Sequence, residues 1–405
     1  KYEKSELELM TTYQLREICR REKIMNGVIH PLDKEELIQA IMRYMGKRQD
    51  FFICDKKKGG EERVEEFLKK TRIVIKPCKE LYCQSQILAY EGLSIEYYDG
   101  YTIPYKKELS GTNAFLMGSD MALCAILNLK EHGGRQEKLY LTKAAELETR
   151  ETQRKDYRIF CMGHQTSESL YHLYYGEHTI LPEHIEVYSI PLIDFVVRKP
   201  VTLMLPMAID FGSVNTTAGV YLDSAYFENV GEQAAVKNCR ENEINYTAFE
   251  DGNGESMLLP SVIGVLAVEE EDYKLLFGYD AIRLANASYV DEGFCVFYDV
   301  KRWIGEYEKE EEIVDRQGRR RLVKRAEILR RFFLYIIRKT ENRFKCRISQ
   351  VHISSPVKQK HYFRRMFREI LPEYMTGQET MLDEGLFQLP MFAGIERKGT
   401  FIFHK

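Results

Sequence analysis

The chain has 405 residues, 44% of them apolar and 12% aromatic, with a formal net charge of −3 at pH 7. That length allows two or three domains with cores of their own, and the apolar content excludes a disordered chain. The near-neutral balance excludes a global polycation, and the longest apolar runs, such as Leu203 to Ile209, are too short to span a bilayer.

KYEKSELELM contains no signal-type apolar region. The nine cysteines are scattered, without a CxxC pair or zinc-type Cys/His spacing. This pattern predicts reduced thiols in a cytoplasmic protein and no structural metal site.

Residues 1–48 read as a small helical module. Thr11 with Gln14 makes a capping-box pattern ahead of Tyr13, Leu15, Ile18 and Cys19, and Asp33 with Glu36 repeats it ahead of Leu37, Ile38, Ile41 and Met42. Gly46 is placed to stop the second helix. LMTTYQLREICRREKI followed by LDKEELIQAIMRYM resembles the SAP-type helix–loop–helix module, whose members often bind DNA or RNA. On that resemblance Arg16, Arg20, Arg21 and Lys23 line a phosphate backbone. Ten Lys/Arg stand against nine Asp/Glu in residues 1–50, so docking onto another protein is an equal alternative.

Residues 49–71 form a charged linker and helix, with Gly59 and Gly60 before EERVEEFLKK. Residues 72–200 form a β-rich domain of unassigned role. Its runs TRIVIKP, QILAYEG, LSIEYYDGYTIPY, NAFLMG, KLYLTK, DYRIFCMG and HIEVYSIPLIDFVV are β-branched and aromatic, with turn residues between them. The dense tyrosines (Tyr97, Tyr98, Tyr101, Tyr105, Tyr171, Tyr174, Tyr175) are expected as half-buried strand residues, in preference to a stacking platform. His164, His172, His178 and His184 have no ligand-like spacing.

After Arg198-Lys199-Pro200, the stretch LPMAIDFGSVNTTAGVYLD reads as strand, tight turn and strand. The turn carries Asp210, Gly212, Ser213, Val214 and Asn215. A carboxylate at a strand end beside a Gly-containing turn suits a phosphate and a hydrated cation. The same chemistry also makes an ordinary hairpin turn. Further on come a strand at 244–249, a DGNGES turn, the strand LLPSVIGVLAV, and YKLLFGYDAIRLA as strand, turn and helix. Lys301 lies in FYDVKRWIG. Thirteen Lys/Arg against two Asp/Glu fall between Arg316 and Arg347. Ile328, Leu329, Phe332, Phe333, Tyr335 and Ile336 make this tract an amphipathic helix with its charges on the solvated face. VHISSP is a buried strand, KQKHYFRRMFREIL a basic helix and TFIFHK a last strand.

In this order, AIDFGSVNT, LLPSVIGV with FGYDA, FYDVKRWIG, HISSPVKQKHYFRRMFREIL and LDEGLF resemble the first half of the nucleotide-binding domain of DnaK-type heat-shock chaperones. That domain belongs to the actin-like ATPase superfamily, and the resemblance covers residues 207–405. It implies a multi-domain α+β and α/β protein with an actin-like (ribonuclease-H-like) lobe over 201–405, binding ATP and Mg²⁺. Asp210 would hold the cation through water, and Gly212, Ser213, Val214 and Asn215 would receive the phosphates. Lys301 and Glu384 would serve catalysis with Asp210. Pro356 matches a proline that relays nucleotide state. The family's second phosphate loop would begin where TFIFHK ends the chain, with His404 in place of its aspartate, so the chain is expected to be a fragment.

The resulting expectation is an ATP-binding chaperone-like or assembly protein whose nucleotide state controls a protein client, partner subunits or nucleic acid, with no membrane partner. The alternatives are a degenerate actin-fold scaffold that binds nucleic acid or protein without hydrolysis, and a sugar- or acyl-kinase relative.

Overall fold

The computed structural model describes residue 2 and residues 4–22, 33–45, 51–132, 135–230, 238–252, 254–286, 294–375 and 381–383. The protein is mixed α/β, with a seven-stranded mixed sheet, a second larger sheet and several small ones. Residues 1–49 with 260–329 form one unit, and residues 50–259 with 330–405 form the other.

In the first unit, α1 (Lys4–Leu9), α2 (Thr12–Arg21) and α3 (Lys34–Met45) build the N-terminal module. Both capping boxes form. The Thr11 hydroxyl accepts the Gln14 N–H (3.3 Å) and the Gln14 side chain accepts the Thr11 N–H (2.7 Å). Asp33 and Glu36 repeat the exchange at 2.9 and 3.0 Å. These bonds satisfy donors that a helix start leaves open. Leu15, Ile18, Cys19, Leu37, Ile38 and Ile41 are buried together. Tyr13, expected on the same face, is exposed instead. Its spacing of two from Leu15 swings it to another side of the helix. Gly46 lies outside the described residues. Helix α1 was not anticipated, and it adds Leu7 and Met10 to this core.

The other part of this unit pairs Ile263–Val268 with Tyr273–Phe277, turns at Gly278 (φ +57°) and enters a helix over Tyr279–Asn286. The acidic and basic runs around 310–324 are the two arms of a hairpin, Glu310–Val314 with Arg320–Lys324. There Arg320 reaches Glu312 at 2.9 Å. The basic tract from Arg316, expected as an amphipathic helix, thus begins as a strand, where opposite charges face each other across the hairpin.

The second unit is organised on two sheets. In the first, β1 (Arg72–Ile75), β2 (Thr102–Pro104), β3 (Thr112–Gly118), β4 (Leu123–His132), β5 (Arg135–Thr142), β6 (Tyr157–Met162) and β7 (His184–Leu192) run in the order β1-β7-β6-β3-β4-β5-β2. Only β1 and β7 are parallel neighbours. Every residue of β3 is buried, as expected of a strand covered on both faces. Phe115 and Met117 face a core shared with α4 (Gly60–Lys70) and α5 (His164–Tyr175), while Ala114 and Leu116 face a core closed by Ile87, Ala89 and Phe195.

Helix α4 buries Val64 and Leu68 against this sheet. Its Arg63 donates to the carbonyls of Leu173 (2.9 Å) and Tyr174 at the end of α5, where a cation complements the helix dipole. Strand β4 and helix α5 were not anticipated, and Tyr171, Tyr174 and Tyr175 therefore lie on a helix, not on strands.

In the second sheet, β8 (Met207–Phe211), β9 (Asn215–Leu222), β10 (Glu243–Tyr246), β11 (Val351–Ser355) and β12 (Met381–Asp383) run β10-β9-β8-β11-β12. The first three form an antiparallel meander, and β11 and β12 return parallel to β8. Two helices contribute to this part, α6 (Arg325–Phe344) from Arg330 onward and α7 (Lys360–Ile370). Phe332 and Phe333 of α6 and Phe367 of α7 are all buried. Phe211 meets Phe333 edge-on, with ring centroids 5.0 Å apart, and Phe333 meets Phe367 at 4.8 Å. Such contacts add to the burial of the rings themselves.

Candidate functional site

Asp210 is the penultimate residue of β8, half-buried where the strand leaves the sheet. The Ser354 hydroxyl of neighbouring β11 donates to its Oδ1 at 2.7 Å, and the same oxygen of Ser354 accepts the Phe211 N–H at 3.0 Å. The turn is closed by the Gly212 N–H donating to the Asn215 carbonyl at 3.1 Å. A Cβ on Gly212 would stand 2.3 Å from that carbonyl oxygen, so only glycine permits this closure. Ser213 and Val214 sit at the exposed tip. Among the described residues, their N–H groups and the Ser213 hydroxyl have no hydrogen-bond partner. The geometry is a hairpin turn with an acid at its root and unused donors at its crest. Those groups can receive a phosphate and a hydrated cation.

Lys301 belongs to the other unit, in a 3₁₀ turn over Val300–Glu306, and is half-buried. The turn is anchored by buried Val300 and Ile304. Its entry residue Asp299 takes a left-handed φ of +53° and pairs with Arg302. Glu384 and His404 lie outside the described residues, as do the rest of LDEGLF beyond Asp383 and all of TFIFHK.

On α2, Arg20 pairs with Glu17 at 2.6 Å, Arg21 bonds the Tyr2 hydroxyl at 2.7 Å, and Arg16 is half-buried. Lys23 lies outside the described residues.

A second polar concentration, unread in the sequence, joins the turn over residues 91–99 to the end of α6. Glu96 pairs with Lys339, Ser94 bonds Asn342, and Glu255 bridges Arg343 and the Tyr97 hydroxyl. Asp99 pairs with Lys345 at 2.9 Å, both almost fully buried. Burial pushes the Asp99 carboxyl above its usual range, although Lys345 pulls the other way. Beside this clamp lies a cavity of about 240 Å³ walled by Tyr97, His132, Tyr140, Lys143 and Lys339. His132 stacks on Tyr97 with centroids 3.6 Å apart. Among the described residues, the buried Lys143 ammonium bonds the carbonyls of Ala144 and Leu147, and desolvation pulls it down to about 8. The signal was the run SIEYYDG, whose two acids and two tyrosines were read as strand and turn.

Among the described residues, no group of three or more His, Cys, Asp or Glu side chains is placed to hold a metal ion directly. Nor is any helix there long and apolar enough to cross a membrane. No protein-family model matches this chain, and no curated protein matches it.

Proposed function

We propose that this protein is a DnaK-like, ATP-binding chaperone or assembly factor, in which nucleotide state controls the hold on a protein client, partner subunit or nucleic acid. The observation that carries the reading is the Asp210 turn: a carboxylate at a strand end, a closure only glycine allows, and free N–H donors at the crest. The strand order supports it further. The antiparallel meander followed by two strands parallel to its first member, β10-β9-β8-β11-β12, is compatible with the ribonuclease-H-like lobe that the resemblance implies.

On this reading Asp210 holds hydrated Mg²⁺, and Gly212, Ser213, Val214 and Asn215 receive the phosphates. The resemblance alone gives Lys301 the role of positive charge for phosphoryl transfer to water, and Glu384 that of orienting the water or the cation shell. The ion pairs between residues 91–99 and α6 give the nucleotide lobe a stiff connection to the β-rich domain that would carry the response. A reducing cytoplasm suits the nine free thiols, and the SAP-like module would dock on nucleic acid or protein.

The test is thermal unfolding with and without Mg-ATP. At a hundredfold excess over Kd, binding stabilises by about 2.7 kcal/mol, a rise of a few degrees. Asp210→Asn should abolish the rise, and Lys301→Ala should keep it but lose turnover. Binding without turnover in the unaltered protein would select the degenerate scaffold. No rise at millimolar Mg-ATP would sink the proposal.

A further inference from the structure

Many exposed cations of the protein are paired, although others, such as Lys58, Arg72, Lys130, Lys138 and Arg338, have no ion-pair partner among the described residues. On α6, Arg325 meets Glu306 and Glu311, Arg330 meets Glu373, Lys339 meets Glu96 and Arg343 meets Glu255. On α2, Arg20 and Arg21 have partners. Helix α7 and the turn leading into it concentrate cations within eleven residues. One face, with Phe363, Met366, Phe367 and Ile370, is buried. The other carries Lys358, Lys360, Arg365 and Arg368, with half-buried Arg364 at its edge, against one acid, Glu369. Among the described residues, Lys358, Arg364 and Arg368 have no ion-pair or hydrogen-bond partner.

This arrangement costs stability in the isolated protein. Arg364 and Arg368 are like charges at i,i+4, and Lys358 and Lys360 crowd the positive end of the helix dipole, where the first turn has no acid. An external polyanion would relieve both. Tyr362 stands 52% exposed on the same helix, with its ring centroid 3.8 Å from that of His361. An aromatic beside a run of cations fits a strand whose bases are free to stack, better than a duplex or a lipid surface.

We infer that the exposed face of α7 binds single-stranded nucleic acid through its phosphates, with Tyr362 as the stacking residue. This inference stands apart from the ATP reading and needs no nucleotide. The test is fluorescence anisotropy of a labelled oligothymidine of about 20 nucleotides with the full chain. Three phosphate contacts give a log–log salt slope of roughly −2, so Kd should weaken about twentyfold between 50 and 200 mM salt. The exposed pair Lys358→Gln/Arg368→Gln should weaken binding about tenfold at 50 mM salt and flatten the slope by about 1.4. Tyr362→Ala should weaken binding and leave the slope unchanged, while Lys69→Gln/Lys70→Gln on α4, whose cations are already paired with Glu65 and Glu66, should have no effect. Unchanged far-ultraviolet circular dichroism and melting temperature would establish that the variants fold. The inference is overturned if there is no binding at 50 mM salt, if the Lys69/Lys70 variant loses as much, or if phosphatidylserine vesicles or poly-glutamate bind and the oligonucleotide does not.

Discussion

Ser354 and Asp210, 144 residues apart in sequence, share a hydrogen bond of 2.7 Å, and the same Ser354 oxygen accepts the buried Phe211 N–H. One hydroxyl thus sets the carboxylate's orientation and closes a donor between parallel strands β8 and β11. Ser354→Ala leaves the N–H unpaired in the sheet, at a cost of about 1–3 kcal/mol. Ser354→Thr keeps the hydroxyl and should recover most of that loss. Urea unfolding of the three proteins side by side measures it; equal midpoints would show that the hydroxyl holds nothing.

Gly212→Ala probes the turn itself. The added Cβ would stand 2.3 Å from a backbone oxygen, which no rotamer can relieve, so the Gly212–Asn215 closure must open. The expected cost is about 1–3 kcal/mol, with any Mg-ATP stabilisation lost. Gly254→Ala, where the added atom meets nothing within 4 Å, is the control and should change little. A Gly212→Ala protein that melts with the parent would mean that the turn tolerates a side chain and was shaped for no ligand.

Asp99 and Lys345 form the most deeply buried ion pair described in the second unit. Lys345 also follows α6 with φ +50°, a left-handed conformation that usually falls to glycine or asparagine. Its Nζ reaches the Ser94 carbonyl as well, at 3.0 Å, so the surrounding bonds hold a strained backbone in place. Removing one partner strands the other charge. Asp99→Asn and Lys345→Met should each cost about 3–5 kcal/mol, and the double variant much less than their sum. Strict additivity in the double-mutant cycle would show that the two charges do not support each other.

Much of this was legible because local chemistry dictated it. Thr11 and Gln14, or Asp33 and Glu36, cap helices through bonds three residues apart, and Phe332, Phe333 and Ile336 bury one side of a helix by period alone. The strand–turn–strand around Asp210 followed from alternation and turn residues. What stayed hidden depends on partners distant in sequence. Strand β4 is a continuous apolar run covered on both faces, with no alternation to mark it. The basic tract seemed a solvated face because Glu96, Glu255 and Glu373 lie far from the cations they neutralise. Ser354 was one serine in HISSP until the parallel pairing of β8 and β11 brought it to Asp210.

His352, two residues before Ser354 on β11, gives that sheet a pH dependence of defined sign. Burial alone lowers its imidazole to about 4, because the charged form would be stripped of water. The unfolded chain then binds a proton between pH 6.5 and 4 that the folded one refuses. The stability linked to this group is therefore complete above pH 6.5 and drains away as pH falls to about 4. The full difference corresponds to roughly 3 kcal/mol. Asp99 and Glu341 work in the opposite direction. Burial raises both carboxyls, so each favours the folded state as pH falls toward the ordinary carboxylate range. Since their contribution has the opposite sign, a decline just below pH 6.5 belongs to the histidine. Urea midpoints taken every half unit from pH 7.5 to 4.5 should fall steadily in the parent protein. In His352→Gln the fall between pH 6.5 and 5 should flatten by about half or more, since glutamine is polar and never charges. A parent whose midpoints hold constant over that interval would mean that water or a partner group already solvates the imidazolium inside the sheet.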